Sequence, residues 1–469
     1  MKTKSLIVLI CMLIGVNTSA QSTSTPWDEA QTILSNIKAP TFPNKDFLIT
    51  RYGAKPGSAA MKANTKAIAK VIDACSKQGG GRVVVPAGEW FTGPITLKSN
   101  VNLHISEGAV LKFSNNPMDY HPFVETRWEG MDCINYRPLI YAYQQDNIAI
   151  TGKGTLDGQA TDETWWYMKG KKEYGWKDGL NSQEHGGGRD RLMQMVLSDT
   201  PLAQRVMTEA DCLRPQFVSP TKCNNVLIEG VSIIRAPFWV VHPLFCNNVT
   251  VRDVHINSHG PNNDGCDPES CKNVLIEGCS FDTGDDCIAI KSGRNNDGRN
   301  TPIPSENIIV RNCEMKDGHG GVVMGSEISA GVRNVFVENC KMDSPNLDRV
   351  IRIKSNTVRG GVIENIFVRN VEVGLCVEAV FRVEFKYEKK EGTGPFLPVV
   401  RNVEMRNVTS HKSKYGVYIE GLDESIQISD VKFVDCHFEN VQIPTKISGA
   451  KNIVFENFNL NLSEVKVAK

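Results

Sequence analysis

The chain has 469 residues, 41% of them hydrophobic, with 39 glycines and 53 basic residues against 53 acidic ones. That length can bury a large core, as one big domain or about three ordinary ones. A net charge of zero lacks the basic excess that marks a nucleic-acid binder.

The chain opens on MKTKSLIVLICMLIGVNTSAQ, which has the form of an export signal over residues 1–20. Lys2 and Lys4 supply the positive region, Leu6–Val16 the apolar region, and Thr18-Ser19-Ala20 a small-residue cleavage site. An apolar run of about eleven residues is too short to span a bilayer, and no later stretch is long enough either. Residues 21–469 are therefore expected to be exported as one domain, free of the membrane. Removing Lys2 and Lys4 leaves 51 basic against 53 acidic residues, a charge near −2.

Residues 64–81, NTKAIAKVIDACSKQGGG, are amphipathic and run into glycines, predicting a helix with a C-terminal stop. This helix is expected to close an open end, within a cap spanning about residues 44–98. SNVNLHISEGAVLKF (99–113) and DNIAITGKGTLDG (146–158) alternate as strands do. Between about 115 and 212 an aromatic-rich insertion, with Trp128, Trp165, Trp166 and Trp176, breaks the pattern and reads as loops over one face.

From residue 223 onward an internal repeat takes over. CNNVLIEGVSI (223–233) returns as CNNVTVRDVHI (246–256), CKNVLIEGCSF (271–281), SENIIVRNCEM (305–315) and VRNVFVENCKM (332–342), with weaker copies to residue 460. The marker residues are Asn225, Asn248, Asn273, Asn307, Asn334, Asn365, Asn402, Asp430 and Asn452, spaced 22–37 apart. One and three residues past each marker the chain is apolar, as at Val226 and Ile228, with an exposable residue between: a half-buried strand. Five past the marker stands only Gly, Asn or Asp, the types that tolerate a left-handed backbone, so the chain bends there. Strand, bend, strand at this period predicts an all-β parallel β-helix, whose coils bury their inner faces by stacking. The thirteen cysteines beyond Cys11 fall largely at stacked inward positions, where a free thiol is a small core residue.

The same counting brings charged residues together. Asp285, in TGDDCIAIKSG (283–293), lies twelve residues after Asn273, and His319, in GHGGVVMGSE (318–327), lies twelve after Asn307. Equal phase in consecutive coils makes the two side chains neighbours. Alternation turns Ile288 and Ile290 inward and Ala289 and Lys291 outward; likewise Ile351 and Ile353 point in, Arg352 and Lys354 out. One coil earlier, PNNDGCDPES (261–270) brings in Asp264. Asp264, Asp285, Asp286, His319, Arg352 and Lys354 thus gather on one strip. Crowded carboxylates raise one another's pKa, which is how a carboxyl group keeps a proton for acid catalysis near neutral pH.

In order and spacing, NNDG, GDD, GHGG and RIK resemble the four signature motifs of glycoside hydrolase family 28, the polygalacturonases. The resemblance covers nearly all of 21–469 and implies a right-handed parallel β-helix. It implies acid/base hydrolysis of α-1,4-linked galacturonic acid with inversion. Asp285 would be the general acid, Asp264 and Asp286 would position and deprotonate water, and His319 would be a proton-linked partner. Arg352 and Lys354 would hold a uronate carboxylate of an anionic plant polysaccharide. Asn263 departs from the Thr common at that place in the family. GHGGVVMGSEISAGVRNV resembles the exo-acting bacterial branch, and the insertion offers material to wall off one end of a groove. No cofactor or metal motif stands in the sequence. Endo cleavage or a rhamnogalacturonan or decorated-pectin substrate are the alternatives within the family. A pectate lyase or a non-catalytic binding β-helix is more remote.

Overall fold

A computed structural model describes residues 25–422 and 426–462; the export segment at 1–20 lies outside them. Parallel strands stack into a long right-handed β-helix, with register running coil to coil without shift until an irregularity between Phe438 and Val441 in the last coils. Val226 pairs with Val249, Val249 with Val274, Val274 with Ile308, and Ile308 with Val335. These residues and their partners two places on are buried and form one continuous core down the axis.

The bend five residues past each marker is left-handed in all nine coils, with φ between 47° and 79°. The marker itself is left-handed too, at φ 53–59°, which explains why it is Asn or Asp. That conformation costs most residues about 1–2 kcal/mol, and the short polar side chains tolerate it best after glycine. The asparagines then bond along the axis. From Asn307 to Asn402 each marker Nδ2 donates to the marker Oδ1 of the coil before, at 3.0 Å for Asn307 to Asn273 and Asn334 to Asn307, and 2.9 Å for Asn365 to Asn334. A second ladder runs Asn407, Asn370, Asn339 at the other corner.

Helix α1 (Pro26–Asn36) has no counterpart in the expectations. It lies across the outside of four coils, where the between-strand residues Leu275, Ile309, Phe336 and Phe367 are buried with Ala30 and Ile33. Helix α2 (Met61–Lys77) matches the predicted helix and packs Ala67, Ile68, Val71, Ile72 and Cys75 onto the first coils. The 44–98 interval holds more than this helix: its strand Gly81–Val85 already pairs with Val101–Ile105. The 115–212 insertion is likewise divided. Ile140–Tyr143, Asp146–Gly152 and Thr155–Asp157 form a regular coil within it, whereas an antiparallel hairpin (Val124–Trp128, Met131–Asn135) and helix α3 (Gly188–Leu197) lie outside the stack. All thirteen described cysteines are buried and free. No helix among the described residues is long and apolar enough to cross a membrane.

If the asparagine ladder carries conformational as well as hydrogen-bond stability, Asn334→Ala should destabilise the fold by about 2 kcal/mol. Asn334→Gly, which keeps the backbone but not the bonds, should cost clearly less. Denaturant unfolding of both variants measures the difference; equal losses would mean the backbone contributes nothing.

Candidate active site

Three outward columns of one sheet face carry the strip. Register aligns Ile288 with Val322 and Val322 with Ile351, all fully buried, so the residues alternating with them face the other way. All six predicted residues meet there. Oxygens of Asp264, Asp285 and Asp286 lie within 4.8 Å of one another. Lys354 Nζ donates to Asp286 Oδ2 at 2.7 Å, Arg352 Nη1 stands 3.9 Å from Asp286 Oδ1, and His319 Nδ1 is 3.1 Å from Asp285 Oδ1. Side-chain exposure separates the carboxylates: 18% for Asp285 against 4% for Asp264 and 1% for Asp286.

Local structure accounts for these placements. Thr283 Oγ1 donates to the Asp285 carbonyl at 2.9 Å, and the His319 N–H donates to the same carbonyl at 3.1 Å, pinning the Gly-Asp-Asp turn to the next coil. Asn263, the departure from the family's Thr, is fully buried; its Oδ1 accepts from Ser258 Oγ at 2.6 Å and from the Gly260 N–H at 2.9 Å. It ties the turn that presents Asp264.

The charges are not distributed as carboxylate crowding alone predicts. Burial, then the neighbouring Asp267 and Asp285, push the Asp264 carboxyl well above its ordinary range. Asp285 goes the other way: burial would raise it, but the charge and hydrogen bond of His319, with Lys354 and Lys291 behind, hold it below the usual carboxylate range. His319 is correspondingly raised to about 9, by the Asp285 charge first and then by its hydrogen bond. The pair's proton therefore sits on the imidazole.

Several site residues escaped the sequence reading. Lys291, read only as outward, is buried with its Nζ 3.4 Å from Asp264 Oδ2, 3.2 Å from Glu327 Oε2 and 4.4 Å from the centre of the Trp239 ring. Asp267 is fully buried, neither carboxylate oxygen has a hydrogen-bond partner, and burial raises its pKa. Tyr387 arrives on a loop, with its ring centre 5.4 Å from Arg352 and 5.2 Å from Lys354. Outward placement of Lys291 on the strand after Asp286 was a usable signal; a contact by a loop outside the repeat was not.

A buried ionic cluster fastens these parts together. Arg294 Nη1 meets Glu129 at 3.0 Å and its Nη2 meets Glu388 at 2.8 Å; Arg189 Nε meets Glu129 at 2.8 Å, and Arg359 Nη2 meets Glu391 at 3.0 Å. It joins the insertion hairpin, α3 and the Tyr387 loop to the coils. Beside Asp264 the insertion forms a roof. Trp128 stacks on Phe238 at 5.3 Å, and Arg214 donates to the Pro261 carbonyl at 2.7 Å and to Asn262 Oδ1 at 2.9 Å. Under it Trp239 and His242 are 2% and 0% exposed. The strip is thus covered on the coil before Asp264, while Lys446, three coils past Arg352, is exposed.

A sheet-borne trio of carboxylates with facing cations is the equipment of a hydrolase acting on an anionic sugar. A family profile described as Glycosyl hydrolases family 28 matches residues 206–448. The exopolygalacturonase of Thermotoga maritima superposes with a TM-score of 0.87 at 41% identity, over 92% of this chain and 96% of that one. The exo-poly-alpha-D-galacturonosidase of Dickeya chrysanthemi is 29% identical over 454 residues, covering 88% of this chain and 70% of its own. An endo-polygalacturonase of Pectobacterium carotovorum is 27% identical over 370 residues, covering 74% and 77%. The chain belongs to glycosyl hydrolases family 28; it is a glycosidase.

The His319–Asp285 pair predicts a measurable titration. A histidine raised to about 9 stabilises the fold fully below its unfolded value of about 6.5 and loses that contribution as pH rises through the folded value. NMR of the His319 ring should show the elevated pKa, and Asp285→Asn should drop it toward about 6.5. An unchanged pKa in the variant would mean another group charges the imidazole.

Proposed function

We propose that this protein hydrolyses the α-1,4 bond between galacturonic acid residues of pectin, releasing the terminal residue of the chain. The observation carrying the exo reading is the packing of Trp128 and Arg214 over the coil before Asp264, which would stop a chain end on that side. The similarity to the Thermotoga and Dickeya enzymes, both named as exo-acting, supports it. The substrate is an extracellular polymer, in keeping with the export signal read in residues 1–20.

In this reading Asp285 relays to the leaving oxygen the proton carried by the His319 imidazolium. It is the most exposed of the three carboxylates and the one a glycosidic oxygen reaches, and His319 holds a proton 3.1 Å away. Asp264 and Asp286, deeper in the groove, hold and deprotonate the water. Asp264, whose carboxyl burial pushes well above its ordinary range, positions the water, and Asp286, beside Lys354 at 2.7 Å, takes its proton. Arg352, whose Nε has no hydrogen-bond partner, receives the uronate carboxylate with the fork geometry an arginine offers. Lys354 is shared between that carboxylate and Asp286.

Inversion rests on the family resemblance. The carboxylate oxygens, within 4.8 Å of one another, are closer than the roughly 6.5–9.5 Å usual for an inverting pair. Two buried carboxylates that share one water, with the acid at their edge, reconcile that spacing with single displacement. Retention is the second reading that the spacing favours.

Polygalacturonate digested by the protein should give galacturonic acid monomer from the earliest time point, with or without a chelator. Asp285→Asn should cost about 10²–10⁴ in kcat yet largely retain activity on an aryl galacturonide whose leaving phenol needs no proton. A ladder of oligomers would sink exo cleavage; an unsaturated, chelator-sensitive product would make the protein a lyase; equal loss on both substrates would move the acid role away from Asp285. NMR of the first product should show the β-anomer, and the α-anomer would establish retention.

A further inference from the structure

Three residues on successive coils meet beside the catalytic turns without belonging to the catalytic strip. His259, Asp282 and Asp317 are separated by 23 and 35 residues, so no short motif announces them. Stacking brings one nitrogen or oxygen of each within 4.8 Å of the other two. His259 Nε2 stands 2.9 Å from Asp282 Oδ1. Register places Asn257 beside Asp282, and the Asn257 Nδ2 donates to Asp282 Oδ2 at 3.1 Å. Asp317 accepts from Ser344 Oγ at 2.5 Å and from Asn346 Nδ2 at 3.0 Å. These three donors lie outside the trio and hold both carboxylates in place, as the outer partners of metal ligands do.

The charges of the trio do not balance. Asp282 has the His259 imidazole, whereas among the described residues Asp317 has hydrogen-bond donors and no ion-pairing Lys, Arg or His. Lys316, the residue before it, turns instead to Glu314 at 3.6 Å. Two carboxylates this close repel each other unless a cation offsets them. A neutral imidazole with two carboxylates carries two negative charges, which one divalent ion cancels. Ligand atoms about 2.0–2.2 Å from such an ion stand about 3–4 Å from one another, so atoms already within 4.8 Å need little closure. Imidazole among the donors favours an ion of the zinc class over calcium, which takes oxygen ligands.

The place is as telling as the donor set. Asp264 follows His259 by five residues, Asp285 follows Asp282 by three, and His319 follows Asp317 by two. The backbones join here as well: the Thr283 N–H donates to the Asp317 carbonyl at 3.2 Å, and the Gly284 N–H to the Ser258 carbonyl at 2.9 Å.

We propose that His259, Asp282 and Asp317 bind one divalent transition-metal ion, which clamps the three catalytic turns to one another. The ion is structural and touches no reacting atom, so the inference stands apart from the substrate read for the groove.

The test is calorimetric titration of chelator-treated protein with zinc chloride, with the thermal midpoint followed in parallel. Wild type should bind zinc at this site, and its midpoint should rise with the logarithm of zinc concentration. His259→Gln and Asp317→Asn should each weaken binding by at least about tenfold and remove most of the midpoint shift. In NMR, zinc should move the His259 ring signals before those of His319. His259 is 44% exposed, so its variant folds even if the Asp317 variant does not. Zinc held instead by Asp264, Asp285 and Asp286 would bind His259→Gln as tightly as wild type, and that result overturns the site. Absence of saturable binding at millimolar zinc overturns it too, as does calcium binding that matches zinc and ignores the loss of His259.

Discussion

Everything here depends on one constraint: a coil of parallel strands cannot bury its inner face except against identical coils above and below. The backbone must therefore return to the same place every turn, and two left-handed corners per coil do this. Asparagine at those corners both tolerates the backbone and bonds to the asparagine of the coil before, as Asn334 does to Asn307 at 3.0 Å. Register then holds, and equivalent positions form columns. A catalytic strip on such a scaffold needs only the right residue at one outward position in several coils.

The columns also set the electrostatics. Stacking brings oxygens of Asp264, Asp285 and Asp286 within 4.8 Å, where ionised carboxylates repel one another unless cations offset them. Lys354 at 2.7 Å from Asp286 and Lys291 at 3.4 Å from Asp264 do so from opposite sides. Buried ions of this kind contribute specificity of geometry more than stability. Glu327 links Lys291 to Arg294 and Arg359; burial would raise its carboxyl, but the charge of Lys291, then of Arg359 and Arg294, holds it well below its ordinary range. The insertion and the Tyr387 loop attach to that same cluster, so the walls of the site are registered to its charges.

Much of this was legible in residues read one by one. The marker Asn225 and its successors announced the coil, and the equal phase of Asp285 and His319 placed them side by side, where they stand 3.1 Å apart. Helix α1 was not legible, because Leu275, Ile309, Phe336 and Phe367 look like ordinary outward strand residues until a distant helix covers them. Lys291 was seen and undervalued: outward placement says solvent on an isolated sheet, but under Trp239 and beside Glu327 it is buried. Tyr387 and Arg214 carried no periodic signal, since each enters from a loop whose course depends on ionic contacts between remote segments. The direction of the Asp285 shift was missed for a related reason. Counting carboxylates predicts a raised pKa, and only the imidazole at hydrogen-bond distance reverses it.

The two ends of the strip differ in a way the repeat alone cannot produce. Successive coils are equivalent, so an unadorned β-helix offers a groove open at both ends. Here the insertion occupies one end, with Arg214 bonded to the Pro261 carbonyl and to Asn262 two residues from Asp264. At the other end Arg382, Tyr418 and Lys446 continue the line of Arg352 into solvent. Polarity is thus added to a symmetric scaffold by loops at one end and by side chains at the other. Aromatic and arginine side chains pack over one end of the strip, and the outward column of Arg352 runs on at the other. The scaffold supplies equivalent positions; loops at one end and side chains at the other make the two ends of the strip unequal.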